Sequence, residues 1–191
     1  MKRHNLTTTT ADDDSLPVMV PRNDKVLTPT SPERVRRLRQ HLSMVLVTMK
    51  DDEAASSLRP EPEGFAARVA RTACSLCEGW CCRNGDDDAF LDERTLARVW
   101  GTTPEMDAGA VIQHYVERVP AVGYEGSCVF HGKQGCTLDR SLRSDICNSY
   151  FCGALHAYVR GRDARAPVVV IAGEGDRMRN SAVLTRYEET E

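Results

Sequence analysis

From Ser31 onward apolar residues recur at helical spacing, at Val35, Leu38, Leu42, Val45 and Met49. Intervals of three and four put them on one stripe of a 3.6-residue helix. The pattern predicts a helix from Ser31 to about Lys50, with Ser31 as its cap and Pro32 in its first position, where a missing N–H costs nothing. The segment from Phe65 to Thr72 is compatible with a short helix that delivers the chain into a run of cysteines. Asp92 to Trp100 predicts a third helix, with Leu96, Val99 and Trp100 inward and Gly101 at its end. A fourth is expected from Thr103 to Val119, with Pro104 in its first turn and a stripe of Val111, Ile112, Tyr115, Val116 and Val119. That stripe reads as core, and His114 beside it as a packed or surface histidine. Pro120 stops the helix.

Beyond Pro120 the helical period is lost. Gly123, Gly126, Gly132 and Gly135 cut the stretch to Leu138 into short extended pieces, a hairpin with Cys128 and Cys136 on opposite arms. Gly153 to Val159 reads as a closing helix and Pro167 to Ala172 as a buried strand. Residues 1–30 are threonine-rich and acidic, broken by Pro17, Pro21 and Pro29, and read as a disordered tail. Residues 31–64 divide into the first helix and a linker carrying Pro60 and Pro62, residues 65–172 into the folded domain, and 173–191 into a second tail. The expected fold is α+β and mostly helical, a small cysteine-rich core organised by metal with one short β-hairpin.

Charge narrows the function. With 25 basic against 28 acidic residues the net charge is −3, so the basic footprint of a nucleic-acid binder is absent from the chain as a whole. The local run Arg34, Arg36, Arg37 and Arg39 reads as a solvated helix face. Asp86, Asp87 and Asp88 lack the alternating ligand positions of a calcium loop and read as a solvated turn. The apolar stretches Met44 to Val47 and Val168 to Ala172 both fall far short of the roughly 20 residues of a membrane span. No apolar segment of about 7–15 residues follows the N-terminus, so the expected compartment is cytoplasmic, where thiols stay reduced. No Ser/His/Asp grouping or paired carboxylates stand out.

The eight cysteines change the picture most. Cys74, Cys77, Cys81 and Cys82 form one group, and Cys128, Cys136, Cys147 and Cys152 a second. In a Cys-x-x-Cys a tight turn lets two sulfurs converge on one ion at about 2.3 Å. Gly79 then helps the chain bend back to bring in Cys81 or Cys82. Neighbouring side chains diverge, so one of that pair serves a second ion, bridges two, or stays free. Eight thiolates suffice for two four-coordinate sites, or for one cluster with four left over. Thiolates select zinc, copper(I) or iron–sulfur over magnesium or calcium. Disulfides and inert buried thiols are the alternatives; buried thiols account for one or two cysteines but not for four within nine positions. His131, between Cys128 and Cys136, is either a further ligand or a surface hairpin residue. His156 would share a helix face with Cys152. Arg83 and Arg143 flank the thiols and would offset thiolate charge, while Asp145 and Tyr150 receive no task.

These segments resemble the bacterial cysteine-cluster proteins described as a zinc- or iron-chelating domain, often called YkgJ-like. Their pattern runs Cys-x-x-Cys, Cys-Cys-Arg, a Cys-x-Phe hairpin with Gly-Cys, then Arg-Pro-x-x-Cys. Here Cys74, Cys77, Cys81, Cys82 and Arg83 match the first part, Cys128, Phe130, Gly135 and Cys136 the hairpin, and Arg143 to Cys147 the last. The resemblance covers about residues 70 to 155. It departs at Ser144, where the pattern has proline, in the three residues before Cys81, and in Cys152, which the commonest pattern lacks. The same broad family includes flagellin lysine N-methylase, a larger enzyme. This chain shows no glycine-rich nucleotide loop, so the resemblance implies chelation and not methylation. The expectation is a protein binding zinc or iron, the iron alone or as an iron–sulfur cluster, with a protein partner left open and no catalytic residue assigned. Two alternatives stand beside it: an iron–sulfur protein that transfers electrons or assists a partner enzyme, and a zinc-ribbon-like nucleic-acid binder using the Arg34–Arg39 helix.

Overall fold

The computed structural model describes residues 17–50, 55, 57, 60–161, 166–174 and 177–186. The first helix, α1 (Pro32–Thr48), starts where the sequence places it: Ser31 Oγ accepts from the Arg34 N–H at 3.4 Å, and Pro32 follows. Its stripe buries Leu38, Leu42 and Val45 against α3 (Glu93–Thr102) and α4 (Ala108–Val116). Both partners begin at an aspartate cap, Asp92 accepting from Thr95 N–H at 2.9 Å and Asp107 from Ala110 N–H at 2.7 Å. Two expected helix limits therefore move. Gly101 lies inside α3, and α4 starts later than Thr103, because the Thr103 amide closes α3 on Trp100 O and Asp107 supplies the next cap. Val111 and Tyr115 of the stripe are fully buried, and the Tyr115 hydroxyl donates to Leu142 O at 2.9 Å, which removes the cost of burying it.

A second core lies on α2 (Gly64–Cys77), the helix that carries the chain into the cysteines. It packs with α6 (Gly153–Arg160) on a three-stranded sheet of β1 (Val18–Pro21), β6 (Val168–Glu174) and β7 (Arg177–Leu184). β1 runs parallel to β6, with Val18 opposite Val170 and Val20 opposite Ala172, and β7 runs antiparallel to β6. Both expected tails are thus structured where described. Val18 and Val20 point inward and Met19 outward, a period of two over a run too short to register in the sequence. The strand β7 is polar and gains its order from pairing with the apolar β6. The rest of those readings, residues 1–16 and 187–191, and much of the linker, residues 51–54, 56 and 58–59, fall outside the described residues.

The second sheet is antiparallel, in the order β2 (Leu27–Pro29), β3 (Val122–Tyr124), β4 (His131–Gly132), β5 (Gly135–Cys136). Cys136 stands on an arm of the expected hairpin, whereas Cys128 precedes it. The architecture is α+β, with six α-helices and two small sheets among the described residues. None of these helices is long and apolar enough to cross a membrane.

The aspartate run is a turn with Asp86 and Asp88 exposed as expected, but its central residue is buried. The Asp87 side chain is 8% exposed and accepts from Arg34 Nε and from Arg37 Nε, each at 2.6 Å. Arg34 Nη2 also donates to Ser127 O, so one guanidinium joins α1, the aspartate loop and the segment before Cys128. Arg36 and Arg39 do face outward, where Arg36 pairs with Glu33 and Arg39 donates to Gln113 Oε1 at 2.8 Å. A buried carboxylate holding two arginines is costly to remove because it strands their charge. Asp87→Asn should lower unfolding free energy by about 2–4 kcal/mol in urea denaturation, and Arg36→Ala by about 0.5 kcal/mol or less. Equal midpoints for Asp87→Asn and the wild type would show that the ion pair does not hold the loop.

Candidate metal centre

Cys74 and Cys77 lie in the last turn of α2, so the Cys-x-x-Cys is helical and the expected tight turn comes one step later. Glu78 and Gly79 both adopt left-handed conformations, φ 54° and 76°, and the Glu78 amide caps the helix on Cys74 O at 3.2 Å. Two left-handed residues in succession turn the chain sharply into a 3-10 turn, Trp80–Asn84, which carries Cys81 and Cys82. The Trp80 N–H then donates to Cys77 Sγ at 3.3 Å. The N-terminal strand braces this corner from outside. Asn23 N–H donates to Cys77 O at 2.8 Å and Arg22 pairs with Glu78 at 2.7 Å.

The second group is zipped onto the first by main chain. Cys128 N–H donates to Cys82 O at 2.9 Å, and Val129 N–H to Asp86 O at 2.8 Å. Gly85 permits that approach, since a Cβ there would sit 2.9 Å from Cys128 Cβ. Cys136 faces His131 across β5 and β4. Cys147 lies in α5 (Asp145–Ser149), whose cap is Ser144: its buried hydroxyl accepts the Cys147 N–H at 3.3 Å. The residue that departs from proline in the resembled pattern therefore performs the capping itself. Buried Arg98 donates to Ser141 O and, at 2.7 Å, to Arg143 O, which holds the approach to α5. Cys152 is the residue from which α6 starts.

All eight cysteines are free thiols; five of them belong to the two cores, while Cys74, Cys81 and Cys147 are exposed by surface area. Cys77 is buried in the α2 core, with Cys152 packed against it. Cys128 is buried in the α1 core, with Cys82 and Cys136 packed against it. A small cleft is lined by Cys74, Cys77, Cys81 and Cys152 together with Trp80 and Phe151. Burial pushes the Cys74 thiol up to about 12, and the neighbouring sulfurs of Cys81, Cys77 and Cys152 push the same way. Burial raises Cys77 to about 11 against the opposing pull of the Trp80 and Gly79 amides. Cys128 rises to about 12 by burial, opposed by the Phe130 amide. Cys147 and Cys152 are also raised by burial. Cys81 goes the other way, lowered by a side-chain hydrogen bond with Cys82, and the same bond raises Cys82.

Burial thus favours the neutral thiol at Cys74, Cys77, Cys128, Cys147 and Cys152, and a bound cation would invert that shift. Among the described residues, however, no group of three or more His, Cys, Asp or Glu side chains is arranged to hold an ion as it stands. The sulfurs are gathered but not converged. The donor chemistry fits zinc or iron, with thiols supported by amide N–H groups, while closure onto an ion requires the side chains to turn inward.

His131 is neither a surface residue nor an available ligand. It is 1% exposed, its Nε2 is 3.0 Å from Glu78 O, its Nδ1 is 2.8 Å from Ser127 Oγ, and its ring lies 4.5 Å from that of Tyr124. Both nitrogens are engaged, and burial lowers its pKa, so it stands neutral. It links the turn after Cys77 to the residue before Cys128, positions 53 apart from Glu78 to His131. His156 lines a different cleft with Ile146, Ser149 and Tyr150, which no cysteine borders. Arg143 lies near enough to Cys74 and Cys147 to pull both down, as its flanking position suggested. Arg83 instead covers the Trp80 ring at 5.1 Å. Sequence reasoning missed Asn23, Ser127 and the buried role of Asp87. The alternation at Val18 and Val20 was the only signal for the first of these.

No family profile, curated protein or solved structure matches the chain. Fold and site together define an α+β protein whose two cores meet at a thiol-rich seam.

Two outcomes test the seam. A Cβ at position 79 would fall on His131 Nε2, with Cε1 at 2.8 Å, in a left-handed conformation. Gly79→Ala should cost about 2 kcal/mol or more in chemical denaturation, and a neutral result would mean the His131 bridge is dispensable. His131 has an ordinary pKa of 6.5 that is lowered in the fold, so the unfolded chain takes up the proton first. Its stabilising contribution is then present above that value and lost as pH falls below it. The stability profile between about pH 7 and 5 should slope downward, and His131→Gln should flatten that slope.

Proposed function

We propose that this chain is a metal-chelating protein that takes zinc or iron through its cysteine thiolates, the metal tying together the seam between its two cores. The observation that carries the reading is the gathering of Cys74, Cys77, Cys81 and Cys152 around one cleft and of Cys82, Cys128 and Cys136 at the α1 core, with the Trp80 and Gly79 amides directed at Cys77 and the Phe130 amide at Cys128. Amide donors to sulfur stabilise thiolate and orient it for a cation. The cysteine pattern resembling the YkgJ-like chelating domain supports it further. When bound, the ion supplies a cross-link between segments distant in sequence. The chain's own residues do the rest. Ser144 holds the Cys147 segment, His131 holds the turn behind Cys77, and Arg143 offsets thiolate charge near Cys74 and Cys147. Binding releases the thiol protons to solvent, so affinity rises with pH.

An iron–sulfur protein is the second reading. It is favoured by a donor set of thiols, since His131, between Cys128 and Cys136, has both ring nitrogens occupied. The nucleic-acid reading is not carried forward: Arg34 and Arg37 are paired with Asp87, and Arg36 with Glu33.

Protein purified anaerobically without a metal-affinity tag should contain zinc or iron, and EDTA should lower its melting temperature. Acid-labile sulfide with matching iron and a brown charge-transfer spectrum would select the second reading. Neither metal, with eight free thiols by titration, overturns both.

A further inference from the structure

We infer that the eight thiols constitute two separate four-thiol metal sites, one on each core: Cys74, Cys77, Cys81 and Cys152 on the α2 side, and Cys82, Cys128, Cys136 and Cys147 on the α1 side. This rests on the metal-binding reading and adds to it the number of ions and the membership of each site.

The first quartet lines a single cleft. Its members come from the end of α2, the 3-10 turn and the start of α6, all of which close on one hydrophobic cluster. Three of the second quartet, Cys82, Cys128 and Cys136, belong to the other cluster, and Cys128 is bonded through its amide to Cys82 O. The division falls between two adjacent residues. Cys81 and Cys82 sit on a 3-10 turn, where successive side chains leave the axis about 120° apart, although their thiols still reach each other. Cys81 borders the cleft, and Cys82 packs into the α1 core.

The electrostatic neighbours follow the same division. Cys74 feels Cys81, Cys77 and Cys152, and Cys77 feels Cys81 and Cys152. Cys128 feels Cys136 and Cys147, and Cys82 feels Cys128 and Cys136. The two sets touch only through Cys81, which is bonded to Cys82 and felt by Cys147. Four thiolates complete a tetrahedral sphere, so each set satisfies one ion with none left over. Arg143, near both Cys74 and Cys147, is placed to offset the charge of both sites at once.

The test is made on the full chain, stripped of metal under reducing conditions and titrated with zinc. Bound zinc is counted by native mass spectrometry, and unprotected thiols are alkylated and mapped. The wild type should take up two ions, with protection appearing in two groups of four with the stated membership. Cys74→Ser with Cys152→Ser should leave one ion and protect the second quartet, and Cys136→Ser with Cys147→Ser should leave one ion and protect the first. The wild-type mapping needs no variant to fold. One ion per chain, or protection that mixes the quartets, overturns the two-site division while leaving metal binding intact. No bound zinc, no bound iron in a parallel anaerobic titration with ferrous iron, and no protection at any ratio overturns the division and the chelation reading together.

Discussion

The seam depends on one small constraint, the stacking of His131 against a backbone that has no side chain at residue 79. Glu78 and Gly79 must both turn left-handed for the chain to leave α2 and present Cys81 and Cys82. The imidazole fills the space a Cβ would take and bonds the Glu78 carbonyl that this turn frees. Its other nitrogen reaches Ser127, next to Cys128. One neutral ring thereby sets the distance between the two cysteine groups. A buried polar ring is tolerable only with both nitrogens satisfied, and here both are.

Around that ring, charge fastens each side separately. Asp87 with Arg34 and Arg37, and Arg34 with Ser127 O, lie on the α1 side, Arg22 with Glu78 lies on the α2 side, and the His131 bond to Glu78 O crosses between them. Packed sulfur behaves as a small hydrophobe and favours the neutral thiol, whereas a cation favours thiolate. In the proposed metal-bound form, sulfur–metal bonds would offset the loss of the thiol protons.

Local signals were legible where they were complete within a few residues. Ser31 and Pro32 mark the start of α1, the spacing of Leu38, Leu42 and Val45 marks its buried face, and Pro167 to Ala172 marks a buried strand. Limits failed where two signals competed. Gly101 looked like a stop, but Thr103 closes the helix, and Pro104 looked like a start, but Asp107 caps the next one. Strands β1 and β7 were read as tails because neither carries enough apolar residues to declare itself. Each becomes a strand only by pairing with β6, at the far end of the chain or next to it.

The sequence by itself determined five of the six described α-helices, all but the short α5, and the positions of the thiol side chains, because periodicity, caps and residue type are properties of short segments. It did not decide which cysteine meets which. Its grouping was four early and four late, whereas the fold redistributes them: Cys152 joins Cys77 at one core, and Cys82 joins Cys128 and Cys136 at the other. Nor did it decide that Asp87 is buried or that His131 is a brace. Those outcomes depend on partners some 50 residues away, Arg34 for the first and Glu78 for the second. Burial and pairing across such separations exist only after the chain has folded, and only tertiary structure assigns them.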